Sequence, residues 1–477
     1  MSDFADPGPT SPTIQSVART ARRRFGSGWE AGKRVSFFIL LVLIMLVPLN
    51  MVAGVIEERA YTKRAVEEEV GAQWGPTQTI GGPALVVPYQ VSRVQINSDG
   101  EPKTIIETRY AVFTPEELDI AATSAVEKRT KSIYQILVYG ANVGISGRFK
   151  APDFSQLGVT PTSIAWDQAS LVLGLSGVRA VNAASLTAGG AERQIEAGVL
   201  PYHPFDEGIR AALPVELVGT SPQPFDFDLQ LSLNGRGHIA FQPLGRQTRI
   251  AVKSNWPHPN FIGSPLPTAR TITADGFEAT WAISHIATGA PLAWLTHEYK
   301  PQPERTVSVG VALTEPGDVH QQTDRIVKYG ILVVGLTFGT MFVVSLLKQN
   351  RVHLVQYLLI GASISLFYLL LLSLAEQMDF ALSYLVASLV DIAIVAWYAG
   401  ATIRRLMGWV TGGVLAAVHG YMYVLLQMES YSLISGTIGL LVALLGVMIA
   451  TRKVDWFALG EPMGEPLGEP REQPAQA

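Results

Sequence analysis

The sequence predicts a polytopic α-helical membrane protein with a large extracytoplasmic all-β domain, antiparallel and sandwich-like, between its first and second transmembrane helices. Three observations predict this fold class: six long apolar runs, an alternating charge pattern between five of them, and a long strand-like stretch after the first run. Five runs follow one another closely, at residues 329–347, 354–375, 380–403, 406–428 and 431–451. A membrane-spanning helix needs ~20 mostly apolar residues to cross ~30 Å of hydrocarbon, and each run meets that length.

The charges in the connections between these runs predict the orientation of the bundle. The connections after the first, third and fifth runs carry Lys348 and Arg351, Arg404 and Arg405, and Arg452 and Lys453. The other two connections carry only the acidic residues Glu376, Asp379 and Glu429. Because Lys and Arg mark the cytoplasmic side, the bundle is predicted to begin outside and to end in the cytoplasm. A buried soluble bundle is disfavoured, since soluble helices of this length show a polar face.

The remaining apolar run, residues 35–56, follows a basic segment that places the N-terminus inside. The alternative is a cleaved signal peptide, whose apolar core is typically ~7–15 residues and ends at a small-residue cleavage site. This run is longer and lacks a convincing site, so an uncleaved membrane anchor is predicted. The charged residues 57–74 keep a helical pattern and are predicted to continue the anchor outward as a solvated stalk.

The predicted domain organisation follows from these runs. Residues 57–325 are predicted to form the outward-facing β-rich domain with its helical stalk, and residues 326–457 a five-helix transmembrane bundle. Residues 1–34 are basic and lack apolar periodicity, and residues 458–477 repeat Gly-Glu-Pro, so both are predicted to be disordered cytoplasmic tails. Both termini are predicted to lie in the cytoplasm.

Alternating apolar and polar residues predict strands in the outward region. Residues 84–96 and 104–113 flank an Asn-Ser-Asp-Gly turn, which is a hairpin signal. Further strand candidates are residues 143–149, 170–181, 225–233, 238–243, 248–254, 276–286 and 306–313. Residues 115–118 are predicted to form a short helical turn. Many short strands indicate an antiparallel sandwich, as one domain or as two lobes.

Composition excludes several classes of function. The chain of 477 residues has a formal net charge of −4 and no Cys, which excludes disulfides, thiol catalysis and thiolate metal sites. No basic stripe with interleaved aromatic residues indicates nucleic-acid binding. Metalloprotease, Walker and nucleophile-elbow motifs are absent, and the glycine-rich residues 235–240 are interpreted as a hairpin turn. We therefore predict no catalytic residue, no metal ligand, no cofactor and no enzymatic activity.

Several short motifs carry a resemblance to a known family. They are Trp74-Gly75, Gly82-Pro83-Ala84-Leu85-Val86-Val87-Pro88-Tyr89, Asn255-Trp256-Pro257-His258-Pro259-Asn260-Phe261, Gly276-Phe277-Glu278-Ala279-Thr280-Trp281, and residues 351–357, 367–374 and 451–457. Together they resemble the CreD family of bacterial inner-membrane proteins over nearly the whole chain outside the tails. Leu354, Gln377 and Ser430 depart from the family pattern, which usually has Pro, His and an acidic residue there. The resemblance implies a location in the bacterial inner membrane, with the outward domain in the periplasm. It also implies a role in cell-envelope integrity and in tolerance of colicins and β-lactams, without an assigned reaction.

Trp256, His258 and Phe261 form a candidate periplasmic binding loop. Two prolines flank His258 and restrict the backbone to an extended conformation. Two interpretations remain open: a rigid binding loop, or a stiff corner of a sheet.

Asp391 and His419 form a candidate intramembrane polar pair. Asp391 lies 13 residues before Arg404, and His419 lies 14 residues after Arg405. At ~1.5 Å per residue both lie roughly 20 Å deep, so antiparallel neighbours bring them side by side. An unpaired charge at this depth costs at least ~2.5–3.5 kcal/mol. Two alternatives remain: a proton or ion relay, or a static interhelical hydrogen bond worth ~0.6–2 kcal/mol.

Three classes of function therefore remain. The leading one is a non-enzymatic protein whose outward domain binds an envelope component or a partner. The second is a transporter or ion-coupled protein that uses the polar pair, and the third is an envelope hydrolase with convergent Asp, Glu or His. Apart from the lipid bilayer, the partners are unknown. Gly335-x-x-x-Gly339 and Gly408-x-x-x-Gly412 either support close helix packing, including a homo-oligomer, or face lipid.

Overall fold

The computed structural model describes residues 36–96, 102–199, 205–219, 223–298, 306–315, 323, 326–348, 352–427 and 432–452. The predicted tails, residues 1–34 and 458–477, lie outside the described residues. The chain divides into two compact units: Met1–Ala60 with Gly317–Ala477, and Tyr61–Pro316.

Six apolar helices lie in the described part of the chain. They are α1 (Ser36–Trp74), α2 (Gly330–Lys348), α3 (Leu354–Ala375), α4 (Phe380–Thr402), α5 (Arg405–Gln427) and α6 (Ser432–Thr451). By length and composition α1, α3, α4 and α5 can each cross a membrane. The apolar segments described in α2 and α6 are shorter, at Gly330–Ser345 and Ile434–Ile449. The prediction of several apolar helices of membrane-spanning length is therefore confirmed, whereas the count of six spans stays a prediction.

Polar caps fix where α3 and α4 begin. His353 and Gln356 form a capping box at the start of α3, in which the Gln356 side chain accepts a bond from the His353 backbone N–H at 2.9 Å. At the start of α4 the Asp379 carboxylate accepts a bond from the Ala381 backbone N–H at 3.0 Å. Such caps satisfy backbone donors that have no partner within the helix. The two helices thus start at defined residues, which sets the depth of the side chains that follow.

The first helix packs into the bundle through one stripe of its surface. Leu41, Met45, Leu49, Val52 and Ile56 are buried, and they recur every three or four residues. They share a hydrophobic core with residues of α2, α3, α4 and α5. This spacing places side chains on one face of a helix, so α1 belongs to the bundle along its apolar part.

The two Gly-x-x-x-Gly motifs have different surroundings. A Cβ atom at Gly408 would lie 2.4 Å from the Ala396 carbonyl oxygen and 2.8 Å from the Gly400 Cα atom, so α4 and α5 pack backbone against backbone. At Gly335 such an atom would meet nothing within 4 Å among the described residues, and at Gly339 only one Phe38 ring carbon at 4.0 Å. The motif at Gly408 is therefore part of the contact between α4 and α5. The motif at Gly335 has no close neighbour among the described residues.

Eighteen strands are described in the unit Tyr61–Pro316. They are β1 (Gln78–Ile96), β2 (Pro102–Phe113), β3 (Glu117–Lys131), β4 (Tyr134–Phe149), β5 (Ser163–Ile164), β6 (Ser170–Leu175), β7 (Val181–Ala188), β8 (Ala191–Arg193), β9 (Ile195–Ala197), β10 (Gly208–Ala212), β11 (Phe225–Arg236), β12 (His238–Gln242), β13 (Gln247–Ser254), β14 (Pro259–Gly263), β15 (Ala269–Thr273), β16 (Gly276–Ser284), β17 (Ala293–Leu295) and β18 (Val309–Leu313). Short helices at Val215–Val218 and His285–Thr288 and three 3₁₀ turns connect some of them.

The strands form two mixed sheets, so the prediction of a purely antiparallel domain is wrong. The ten-stranded sheet runs β14-β18-β12-β1-β6-β10-β9, with β2, β5 and β17 attached beside this path, and the eight-stranded sheet runs β15-β16-β13-β3-β4-β11-β7-β8. β1 pairs in parallel with β12, and β3 pairs in parallel with β13. The alternation of apolar residues specifies which face of a strand is buried, but it does not specify the direction of a partner from a distant segment.

One hydrophobic core contains residues of both sheets. Tyr139 on β4 and Trp281 on β16 are among its largest fully buried side chains. Phe261 on β14 contacts the rings of Phe277 and Trp281 edge-on, at centroid distances of 5.9 and 6.0 Å. Because β14 and β16 belong to different sheets, these aromatic contacts join the two sheets.

Two local predictions differ from the structure. Residues 115–118 do not form a helical turn, because β3 already begins at Glu117. Residues 235–240 do not form a hairpin turn, since β11 ends at Arg236 in one sheet and β12 begins at His238 in the other. Gly237 makes this change of sheet with a φ of +69°, a left-handed conformation that favours glycine.

The charged end of α1 is docked rather than solvated along its whole length. The Arg129 guanidinium lies 3.6 Å from the centre of the Trp74 ring, and the Trp74 indole N–H donates to the Tyr139 carbonyl oxygen at 3.3 Å. Lys131 forms an ion pair with Glu69 at 2.6 Å. The stalk therefore ends against the β3–β4 hairpin of its own unit.

Candidate functional site

The structure brings Asp391 of α4 and His419 of α5 together inside the helical unit. The His419 Nε2 and Asp391 Oδ2 atoms lie 3.1 Å apart, and each residue is only 2% exposed. The two positions meet because α4 and α5 are antiparallel neighbours and each residue lies near the middle of its helix. A carboxylate and an imidazole at this distance share one hydrogen bond.

A third helix completes the cluster. The Ser363 hydroxyl of α3 donates to Asp391 Oδ1 at 2.8 Å, so both carboxylate oxygens have a partner, each from a different helix. Sequence reasoning missed Ser363, although the signal was present. Glu376 and Asp379 mark the two ends of the α3–α4 connection. Ser363 lies about as far before Glu376 as Asp391 lies after Asp379, so Ser363 and Asp391 have similar depth in the bundle.

Aromatic residues enclose the imidazole. The ring centroids of Phe367 and His419 are 4.4 Å apart, and Phe367 is 2% exposed. The Tyr384 hydroxyl donates to the backbone carbonyl oxygen of His419 at 2.7 Å, which adds a second link between α4 and α5. These contacts hold the imidazole in place and exclude water from it. We refer to Ser363, Asp391 and His419 as the buried triad.

Further hydroxyl groups in the bundle are buried without a hydrogen-bond partner among the described residues. They are the hydroxyls of Tyr368, Ser388 and Thr411, and one carboxylate oxygen of Glu376 is in the same state. Tyr368 and Thr411 are fully buried, and Ser388 is 6% exposed. An unsatisfied polar group in an apolar interior is costly, so such groups are rare in native structures and need an explanation.

The candidate binding loop does not converge on one point. The Trp256 indole N–H donates to the Thr314 carbonyl oxygen at 3.0 Å, and the Thr314 hydroxyl donates to the His258 carbonyl oxygen at 3.1 Å. The Trp256 and His258 rings meet edge-to-face at 5.9 Å. Phe261 instead packs on the core residue Trp281. These contacts favour the interpretation of a stiff sheet corner.

A groove crosses the exposed side of the eight-stranded sheet, and sequence reasoning missed it. Its volume is about 510 Å³. Ala251 of β13, Ala121 of β3 and Gly144 of β4 lie side by side in register and line it. Small residues at exposed strand positions were the available signal, but recognising a groove requires the register of three strands that are distant in sequence.

Charged and polar side chains border this groove, two positions along the strands from its small residues. Arg249 and Asp119 are register partners and form an ion pair at 3.6 Å. The Gln230 amide donates to the Asp228 carboxylate at 2.8 Å. Among the described residues no cluster of three or more His, Cys, Asp or Glu side chains could hold a metal ion. The groove therefore offers hydrogen-bonding and charged groups around a floor of small residues.

Comparison with known proteins identifies the family. The family model described as inner membrane protein CreD matches residues 30–457. Inner membrane protein CreD of Escherichia coli (strain K12) is 31% identical over 434 residues, which cover 88% of this chain and 92% of that protein. Among solved structures, an M1 zinc metallopeptidase from Deinococcus radiodurans covers 76% of this chain and 96% of its own at 10% identity, and its TM-score of 0.18 supports no inference. On the family model and the Escherichia coli relative, the chain belongs to the CreD family of inner membrane proteins.

Proposed function

We propose that this protein supports cell-envelope integrity and tolerance of envelope stress as a non-enzymatic binding protein of the inner membrane. In this proposal its β domain faces the periplasm and binds an envelope component or partner. The observation that carries the proposal is the groove of about 510 Å³ on the exposed side of the eight-stranded sheet. The charge pattern between the apolar runs supports the outward orientation of the domain.

The side chains at the groove suit a polar ligand. Arg249 is 82% exposed and its partner Asp119 is 50% exposed. An exposed ion pair of this kind is worth about 0–1 kcal/mol, so either side chain can exchange its partner for a ligand group at little cost. The small residues between the strands let a ligand approach the sheet backbone. Hydrogen bonds to carboxylate, guanidinium and amide groups then select a polar, extended molecule.

The test is site-specific photo-crosslinking in cells. A photo-reactive amino acid replaces Thr280 or Ser146, both of which line the groove, and a matched control replaces the exposed Gln135 at the far end of β4. We expect adducts from the two groove positions under envelope stress and none from the control. Equal adduct yields at all three positions, or no adduct from the groove, would refute the proposal.

A further inference from the structure

We propose that the Asp391–His419 pair is a proton-binding site inside the membrane bundle, loaded from the end that carries Glu376. The ligand is a proton, and the carrier groups are side chains of α3, α4 and α5. This role does not depend on ligand binding by the β domain. It rests on the geometry of the buried triad and on the unpartnered polar atoms around it.

The pair can hold one shared proton without net charge. With the proton on His419 Nε2 the pair is imidazolium and carboxylate, and with the proton on Asp391 Oδ2 it is imidazole and carboxylic acid. Both states have a net charge of zero, and the proton moves along the 3.1 Å hydrogen bond between them. A second proton gives imidazolium with carboxylic acid and a net charge of +1. The Phe367 ring, 4.4 Å from the imidazole, offers a π surface to that charge.

Polar atoms extend from the pair towards the α3–α4 connection. Ser388 lies three residues before Asp391 and Tyr384 lies seven residues before it, which corresponds to ~4.5 Å and ~10.5 Å along α4. Tyr384 and Ser388 are four residues apart on one face of α4, and the Ser388 hydroxyl has no hydrogen-bond partner among the described residues. Tyr368, whose hydroxyl also has no partner among the described residues, is fully buried in the same core, and its ring lies 4.9 Å from that of Phe367. Each of these hydroxyls can donate one proton and accept another, so together they can relay a proton.

Glu376 stands at the end of this series. It is the C-terminal cap residue of α3, is half-buried, and has one carboxylate oxygen that is buried without a partner among the described residues. A carboxylate at the boundary of an apolar bundle can take a proton from water and release it inward. The position of Glu376 therefore makes it the entrance of the proposed path.

In the direction of Arg404 the described residues offer one unpartnered hydroxyl, that of Thr411. Thr411 is eight residues from His419 on α5, ~12 Å along the helix, and Leu415 between them is fully buried. On α4 the corresponding buried positions are Val395 and Ala399, both apolar. Among the described residues an apolar layer thus separates the pair from the Arg404 end, which favours the Glu376 end as the entrance.

The other titratable groups on these helices are few. Apart from the pair itself and the end residues Glu376 and Arg405, the titratable side chains of α3, α4 and α5 are all tyrosines: Tyr357, Tyr368, Tyr384, Tyr398, Tyr421 and Tyr423. Residues 36–56 of α1 and 330–345 of α2 contain no titratable side chain. The acid–base pair at mid-depth is therefore Asp391 with His419, within the described part of the bundle.

A purely structural pair would require only matched donors and acceptors. It would not account for the unpartnered hydroxyls of Tyr368 and Ser388, which lie on the Glu376 side of Asp391. On the Arg404 side, no unpartnered hydroxyl among the described residues lies as near. A metal cation would need several oxygen ligands. The oxygen atoms that are hydrogen-bonded to one another at this site belong to Asp391 and Ser363, and His419 contributes a nitrogen atom.

Infrared difference spectroscopy on the purified full-length protein in lipid vesicles tests the proposal. During a pH titration in Na⁺-free buffer, the carboxylic acid region of the wild type should contain one component band that is missing from the spectrum of Asp391→Asn. Asp167→Asn, a matched change at an exposed position in the β domain, should keep the band. His419→Gln should keep the band but change its pH dependence. Circular dichroism and gel filtration establish that each variant is folded.

The rate of loading after a rapid pH change tests the entrance. Glu376→Gln and Ser388→Ala should each slow the appearance of the band by about tenfold, which corresponds to ~1.4 kcal/mol of barrier, whereas Thr411→Val should leave the rate unchanged. Identical pH-dependent spectra of the wild type and Asp391→Asn in the carboxylic acid region would overturn the proposal, and so would a difference between them that appears only when Na⁺ is added. Slower loading in Thr411→Val alone would overturn the assigned entrance.

Discussion

Adding one methyl group at Gly408 should destabilise the bundle, whereas adding it at Gly335 should not. In Gly408→Ala the new Cβ atom would lie 2.4 Å from the Ala396 carbonyl oxygen. Since Cβ contacts shorter than 3.0 Å are essentially never observed, α4 and α5 must separate by at least 0.6 Å, the difference between 3.0 and 2.4 Å. Overpacking of this kind costs ~1–3 kcal/mol.

Gly335→Ala is the matched control. Its Cβ atom would meet nothing within 4 Å among the described residues, and it lies within α2. Replacing Gly by Ala gains ~0.5–1 kcal/mol in a helix interior, and Gly408, in the first turn of α5, gains no more than Gly335, so this gain does not reverse the expected order. The difference between them should therefore be ~1–3 kcal/mol in favour of Gly335→Ala.

The assay is thermal unfolding of the full-length protein in detergent, followed by tryptophan fluorescence. We expect a lower midpoint for Gly408→Ala than for Gly335→Ala, and a midpoint for Gly335→Ala at or above that of the wild type. Equal midpoints for the two variants would show that α4 and α5 do not pack backbone against backbone, and the reasoning would be wrong.

Three further predictions follow from the same structure. With no other Cys in the chain, a double variant with Cys at Asp391 and His419 should react with a short bismaleimide to give an intramolecular crosslink. Each single variant serves as the control, and no crosslink in a well-expressed double variant would contradict the contact. Alkaline phosphatase fused after Gly100 should be active and after Lys453 inactive, and the opposite pair of results would contradict the predicted orientation. Burial, with the nearby Arg236 as the second cause, lowers the pKa of His238 in the folded state. The unfolded chain then binds the proton first, so stability of the wild type should fall as pH drops from the ordinary histidine pKa of ~6.5 towards the lower pKa of the folded state. His238→Gln should lose this part of the pH dependence in a denaturation series, and an unchanged dependence would contradict the assignment.

Helix geometry made part of the site predictable from the sequence. Asp391 and His419 could be matched because helical rise is fixed and the connection at Arg404 is short. The same counting from the α3–α4 connection reaches Ser363. The Phe367 ring over the imidazole could not be predicted, since the rotation of α3 about its own axis depends on packing across the whole bundle.

The sheets were less predictable. The hairpin of β1 and β2 was identified because its two strands flank one turn. The parallel pairing of β3 with β13 joins Glu117 to Gln247, and no local pattern connects residues so far apart. The groove depends on that pairing, because Ala121 and Ala251 become neighbours only when the two strands are in register.

The parallel pairing of β1 with β12 has a consequence for the order in which the domain folds. Gln78 is the register partner of Ile239, which the ribosome adds only after most of the domain has been synthesised. At a synthesis rate of ~5–20 residues per second, the nascent chain needs ~10–30 s to supply that partner. The start of β1 therefore waits with one edge unpaired, and non-local pairing of this kind makes folding slow. Acquisition of the native sheet is thus expected to follow chain elongation, and a holdase that shields the waiting edge would raise the yield of folded protein.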